Sequence, residues 1–276
     1  MRILFILHST DMTSGSSKSF MHMLLHMIER GIQPLVITPD KRGWYAYCQE
    51  KNIPSIALRF AYRPSVYPDC HTWSEKILFV PRLIGRGMMN MLATVQLLYL
   101  VLKNKPNIIH SNVSITNIGY YVARLLRIPH IWHIREYGGF NIQQYYYYPS
   151  RQQQLKRYKK TLSYTICITK DIQRFNDLAG WKNSKVIYNG VLPSNELYYN
   201  HDKKPYLLYV GRLEQNKGIW QLLLAYKAYY NQCQHPLPLH IAGEGSRDYT
   251  AELLKLINNK TPKNIKTSAI LNIGNL

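Results

Sequence analysis

The chain reads as an α/β protein of two Rossmann-type units, each with a parallel sheet, and three observations predict it. Short apolar runs of the strand type alternate with stretches of helical periodicity from the first residues onward, as strands joined by crossover helices do. The length, 276 residues, exceeds one typical domain. A polar stretch, Ser194–Lys204, separates a long series of alternations from a shorter second one. The expected units are an N-terminal domain, 1–195, and a partial C-terminal domain, 205–276.

Each element follows from local pattern. Arg2–Leu7 is an apolar run, expected as the first buried strand and too brief for the apolar core of a signal peptide. A loop of small polar residues, Ser9–Ser19, leads into a helix over Phe20–Arg30 that Gly31 ends. Pro34–Thr38 and Ile53–Leu58 are strands flanking a helix at Trp44–Lys51. Residues 60–75, with two prolines among aromatics, form an excursion loop. A long helical region then runs to Leu102. Further along come strand 108–110, helix 117–126, strand 129–134, a basic helix 151–162, strand 164–169, helix 170–176 and strand 185–188. The second unit contributes strand 206–210, helix 219–230, strand 237–242 and helix 248–258.

Composition narrows the function classes. Thirty-five Lys and Arg against 15 Asp and Glu give a net charge of +20, which favours anionic partners of any kind. Cysteines 48, 70, 167 and 233 are too widely spaced for a zinc site or a disulfide scaffold, and fit a reducing compartment. The most lipid-like stretch, Gly87–Leu102, falls short of the roughly 20 residues that span a bilayer. It reads as a core helix, with a helix lying in a membrane interface as the alternative, since Arg82, Arg86, Lys103 and Lys105 flank it. The many tyrosines mixed with cations over 143–160 admit base stacking, but packing explains them equally well. No helix-turn-helix or zinc signature appears, so nucleic acid is not the expected partner.

The clearest chemistry lies in Tyr206–Gly218. A short apolar run, Tyr206–Val210, fits a buried parallel strand. Gly211 breaks it, Arg212 and Lys217 follow, and Gly218 opens a helix. Unpaired N–H groups and the dipole at a helix N-terminus favour anions. A guanidinium and an ammonium beside them suit two adjacent phosphates, one cation binding bidentately and the other as a point charge. Two solvated surface cations are the plain alternative.

Gly211-Arg212-Leu213-x-x-x-Lys217-Gly218 resembles the motif of the retaining glycosyltransferases of family 4, which have the GT-B fold. The resemblance implies that Arg212 and Lys217 hold the diphosphate of a nucleotide-sugar donor, framed by Gly211 and Gly218. His133-Ile134-Arg135-Glu136 is similar to a segment of that family in which the histidine lines the cleft near the transferred sugar, which makes His133 the candidate catalytic residue. A lone histidine in a strand is otherwise a satisfied core residue, and Arg135-Glu136 a salt bridge. The loop Thr13–Ser19 resembles the family's glycine-pair loop, with Gly15 kept and Ser16 in place of the second glycine. Asn189-Gly190 matches the family's turn that closes the first domain and reads as turn chemistry. Ala242-Gly243-Glu244-Gly245 matches a strand-to-loop element of the second domain, where Gly243 and Gly245 suit close approach to the nucleotide. No D-x-D sequence occurs, so no metal or other cofactor is expected and protein cations must neutralise the leaving diphosphate.

The resemblance fades after about residue 245. Glu244 and Glu252 reproduce the spacing of the family's paired glutamates in the wrong context and receive no role. The second unit, 72 residues counted from 205 to 276, is short for a domain, so the chain reads as a C-terminally truncated member with its activity alone in doubt. The expected function is transfer of a sugar from a nucleoside-diphosphate sugar to a glycan or lipid-linked acceptor, in cell-surface polysaccharide synthesis such as capsule or lipopolysaccharide. The expected location is the cytoplasm, with peripheral contact at the inner face of the plasma membrane. The alternatives are a nucleotide-sugar epimerase of the same fold and a basic nucleic-acid-binding protein.

Overall fold

A computed structural model of the protein describes residues 1–61, 65–66, 72–137, 145–146, 150–190 and 201–260. Half of the loop at 60–75, half of the tyrosine run at 145–148 and most of the boundary at 194–204 lie outside them, as does the end from 263 to 276. The chain divides into two units, Met1–Glu196 and Leu197–Leu276.

The first unit runs β1 (Arg2–Ile6), α1 (Gly15–Glu29), β2 (Gln33–Thr38), α2 (Trp44–Glu50), β3 (Ser55–Ala57), β4 (Ser65–Val66) and α3 (Trp73–Asn104). It continues with β5 (Ile108–Ser111), α4 (Ile118–Leu126), β6 (His130–Ile134), β7 (Tyr145–Tyr146), α5 (Arg151–Tyr158), β8 (Ser163–Cys167), α6 (Lys170–Phe175) and β9 (Ser184–Val186). Seven strands form one sheet in the order β3-β2-β1-β5-β6-β8-β9. All its pairings are parallel. Strands β4 and β7 form a separate antiparallel pair.

Strand β1 shows why the sheet sits where it does. Side chains alternate across a strand, and here both faces are apolar. Leu4 and Ile6 pack with Ala93, Leu97 and Val101 of α3 and Val122 of α4 on one side. Ile3, Phe5 and Leu7 pack with Phe20 and Leu24 of α1 and Trp44 of α2 on the other. Helices therefore cover both faces, the arrangement a parallel sheet requires. Strand order reverses between β1 and β5, and open sheets of this kind gather ligands beyond the carboxyl ends of the strands at such a point.

The second unit runs β10 (Leu207–Val210), a 3-10 turn at Gln215–Lys217, α7 (Ile219–Gln232), β11 (Leu239–Ala242) and α8 (Arg247–Lys260). Strands β10 and β11 pair in parallel. Ile219, Leu223 and Tyr226 of α7 meet Leu239 and, from α8, Leu253 and Ile257.

Three expectations change. The loop expected over Ser9–Ser19 ends at Ser14, whose side chain accepts from the Ser17 N–H at 3.3 Å and starts α1 at Gly15. The strand expected to be buried at 206–210 is exposed, with Leu208 and Val210 open to solvent; among the described residues it pairs with β11 alone. The lipid-like stretch is the second half of a 32-residue helix that is in the core along one line only, Ala93, Leu97 and Val101.

That division of α3 is measurable in urea unfolding. Leu97→Ala is expected to cost about 2–5 kcal/mol by opening a cavity against β1, and Leu92→Ala, on the exposed side, less than about 0.5 kcal/mol.

Candidate active site

In the first unit, polar side chains converge where β1, β5 and β6 end. Arg135, one residue past β6, is only 7% exposed. Its Nε donates to Asn112 Oδ1 at 3.1 Å, and its Nη1 donates to Ser19 Oγ at 3.0 Å and Asn189 Oδ1 at 2.9 Å. Ser19 Oγ in turn donates to Asn189 Oδ1 at 2.9 Å. The second turn of α1, the end of β5 and the segment after β9 are thus tied to one guanidinium. Burial lowers its pKa to about 10, with Glu136 acting the other way, so it stays charged at neutral pH. Glu136 accepts from the Ser114 N–H and hydroxyl.

His133 lies beside this group. Its Nδ1 is 3.4 Å from Arg135 Nη2, which can only donate, and 3.3 Å from His110 Nε2. The proton of a neutral His133 therefore sits on Nε2, which is buried and has no partner. Burial first, then the Arg135 charge and His110, push its pKa to about 2. His110 and His130 are held near 3, chiefly by burial. His133 is thus a neutral imidazole with an unmet N–H donor, and it carries no positive charge at neutral pH. A cavity of about 470 Å³ opens beside it, lined among others by Ser19, His22, His133, Arg135, Tyr188 and Asn189. A larger cavity of about 660 Å³ lies at the amino ends of β6 and β8, beside Arg127, Leu162 and Ser163, the end of a parallel sheet away from its usual ligand site.

Gly15 and Ser16 occupy the first two positions of α1, where backbone N–H groups have no intrahelical acceptor. A Cβ on Gly15 would meet nothing within 4 Å, so no packing contact demands glycine there. Asn189, expected chiefly as a turn residue, and Arg135, whose plain alternative is a salt bridge with Glu136, both belong to the hydrogen-bonded cluster; the segment Arg135-Glu136 one residue beyond an apolar strand is the available signal.

In the second unit, Gly211 ends β10, and Arg212 and Lys217 lie on the connection to α7. Gly218 has φ 72° and caps α7 without a side-chain partner, leaving the first-turn N–H groups of that helix open. Arg212 Nη1 is 2.8 Å from Glu214 Oε1, and the Arg212 side chain is 69% exposed. An ion pair in that setting is weak and exchangeable. Among the described residues no ion pair involves Lys217. Gly243 and Gly245 follow β11 and pack against this loop: Gly211 N–H donates to Ala242 O at 3.0 Å and Leu213 N–H to Glu244 O at 2.7 Å. A Cβ on Gly243 would lie 1.8 Å from Gly211 O, and one on Gly245 2.4 Å from Leu213 O. The neighbouring loop's backbone is thus by itself a sufficient reason for both glycines. A cavity of about 360 Å³ lies between this loop and α8, beside Glu244, Gly245 and Arg247. No group of three or more His, Cys, Asp or Glu suited to a metal ion occurs among the described residues.

Residues 198–265 match the family model described as Glycosyl transferases group 1, and this span contains the whole Gly211–Gly218 loop and Gly243–Gly245. No curated protein matches significantly by sequence. Among solved structures the chain resembles HepE of Anabaena in complex with UDP, at 17% identity and TM-score 0.66, over 94% of this chain and 66% of that one. It also resembles a glycosyltransferase from Rickettsia africae, at 15% identity and TM-score 0.62, over 96% and 67%. The lipopolysaccharide outer core galactosyltransferase WaaB matches at 17% identity and TM-score 0.55, over 95% and 67%. The chain thus spans about two thirds of the length of these proteins, and the likeness shows that its fold is theirs, GT-B.

The buried imidazoles carry a consequence for stability. In the unfolded chain they titrate near 6.5, whereas in the fold they resist protonation down to about 2–3. Stability present above pH 6.5 is therefore lost as pH falls below it, by up to about 1.4 kcal/mol per pH unit for one such histidine. Thermal melts should show the Tm of the first unit falling between pH 7.5 and 5; a Tm unchanged over that range would show that the imidazoles charge freely.

Proposed function

We propose that the protein is a retaining, family-4-type glycosyltransferase that takes a hexosyl group from a nucleoside-diphosphate sugar. The observation that carries this reading is the strand–Gly211-Arg212…Lys217-Gly218–helix loop, lying within the residues that match the glycosyl transferases group 1 model. Arg212 would exchange its exposed partner Glu214 for the donor diphosphate. Lys217 and the open N-terminus of α7 would take up the remaining charge. In the reaction the sugar's anomeric C–O bond to the diphosphate breaks and a bond to an acceptor hydroxyl oxygen forms. The hydroxyl proton and the nucleoside diphosphate leave. The charge that develops on the departing diphosphate is met by these cations, so the reading calls for no metal.

The acceptor side falls to the first unit. His133, as a neutral donor through Nε2, is suited to hold a sugar or acceptor hydroxyl without supplying a charge. Arg135 gives the same cavity a fixed cation that suits a phosphate-bearing acceptor, in line with a lipid-linked glycan of a cell-surface polysaccharide. HepE, whose structures contain UDP, UDP-glucose, and UDP with glucose, supports a uridine donor by analogy.

Calorimetry with UDP and GDP tests the donor site. Arg212→Ala and Lys217→Ala are each expected to weaken binding by roughly tenfold to a hundredfold, the worth of a charge-assisted hydrogen bond. The double variant should show no binding, and chelators should leave the wild-type affinity unchanged. Affinity that ignores both residues and collapses with salt would instead favour a nucleic-acid-type electrostatic site. A folded chain that binds neither nucleotide overturns the donor reading.

A further inference from the structure

Helix α3 leaves an unusual surface on the first unit. Ile77, Val80, Ile84, Met88, Met91 and Val95 are all exposed and step along the helix by three or four residues. Trp73 before them, 81% exposed, and Tyr99 and Leu102 after them extend the same line. With 100° per residue this line lies roughly opposite Ala93, Leu97 and Val101, which hold α3 in the core. At 1.5 Å per residue it is about 45 Å long. Scattered apolar residues on a surface need no account, but a continuous stripe of this length does.

Two features decide what covers it. The steps average about 3.6 residues, so the stripe runs straight along the helix; a left-handed coiled coil with a second helix needs 3.5. A straight stripe fits a flat surface. Moreover, α3 carries Lys76, Arg82, Arg86 and Lys103 against one acid, Glu75, on a chain of net charge +20. No described helix is long and apolar enough to cross a membrane.

We propose that α3 is a membrane-docking helix: it lies in the interface of an anionic lipid bilayer, with the Ile77–Val95 stripe in the acyl boundary and its lysines and arginines at the headgroups. Exposed Trp73 and Tyr99 are residues that favour the headgroup level. The inference is independent of the donor reading, since it uses no residue of the second unit.

The test is partition of the full chain onto vesicles of phosphatidylcholine, with and without roughly a third of phosphatidylglycerol. Wild type should bind the anionic vesicles and bind pure phosphatidylcholine several-fold less. Ile84→Glu with Met91→Glu, both on the exposed line, should keep the circular dichroism and melting of wild type and lose binding at least about tenfold. Arg82→Glu with Arg86→Glu should abolish the preference for anionic lipid. In wild type alone, vesicles should slow amide exchange across Trp73–Asn104. Undiminished binding by the stripe variant, or unchanged exchange in α3, overturns the proposal. So does a dimer that the stripe variant makes monomeric while wild type ignores vesicles, which would assign the stripe to a second copy.

Discussion

A guanidinium taken out of water must have its donors met, and Arg135 meets them with Asn112, Ser19 and Asn189, all neutral acceptors. These residues come from the end of β5, the first turns of α1 and the segment after β9, so one side chain ties together parts of the chain far apart in sequence. Because none of these acceptors carries charge, the cation keeps its field, and that field reaches the neighbouring imidazoles. His110 and His133 are held neutral by burial and by Arg135 together. The carboxyl end of this sheet therefore offers one permanent positive charge and one buried, unpaired N–H donor next to a cavity.

The second unit solves a different problem. Its cations are exposed, and neither Arg212 nor Lys217 is locked by burial. What is rigid is the backbone beneath them. The loops after β10 and β11 pack so closely that Gly243 and Gly245 leave no room for a Cβ, and their hydrogen bonds continue the strand ladder past the strand ends. Neither cation is held in a buried ion pair, which would be costly to break.

Helix α3 links the two kinds of surface in the first unit. One line of small and branched residues anchors it against β1 and α4, while the opposite line is apolar and exposed. The same helix thus contributes to the core and presents a long apolar edge, with cations on its flanks.

Much of this was legible in the residues themselves. The alternation of apolar runs and helical periods specified a parallel α/β sheet, because only strands covered on both faces read as continuous apolar segments. The spacing from Gly211 to Gly218 located a strand–loop–helix connection carrying Arg212 and Lys217, because local chain geometry alone creates it. Three things were decided only in three dimensions. Asn189 reads as a turn residue, and only the fold brings its side chain to Arg135, 54 positions away. Strand β10 has a buried strand's composition but, among the described residues, one pairing partner and an exposed face, and these are non-local facts. The stripe on α3 has the same residues as a core helix, and no local pattern can tell which of two apolar faces the rest of the unit will cover.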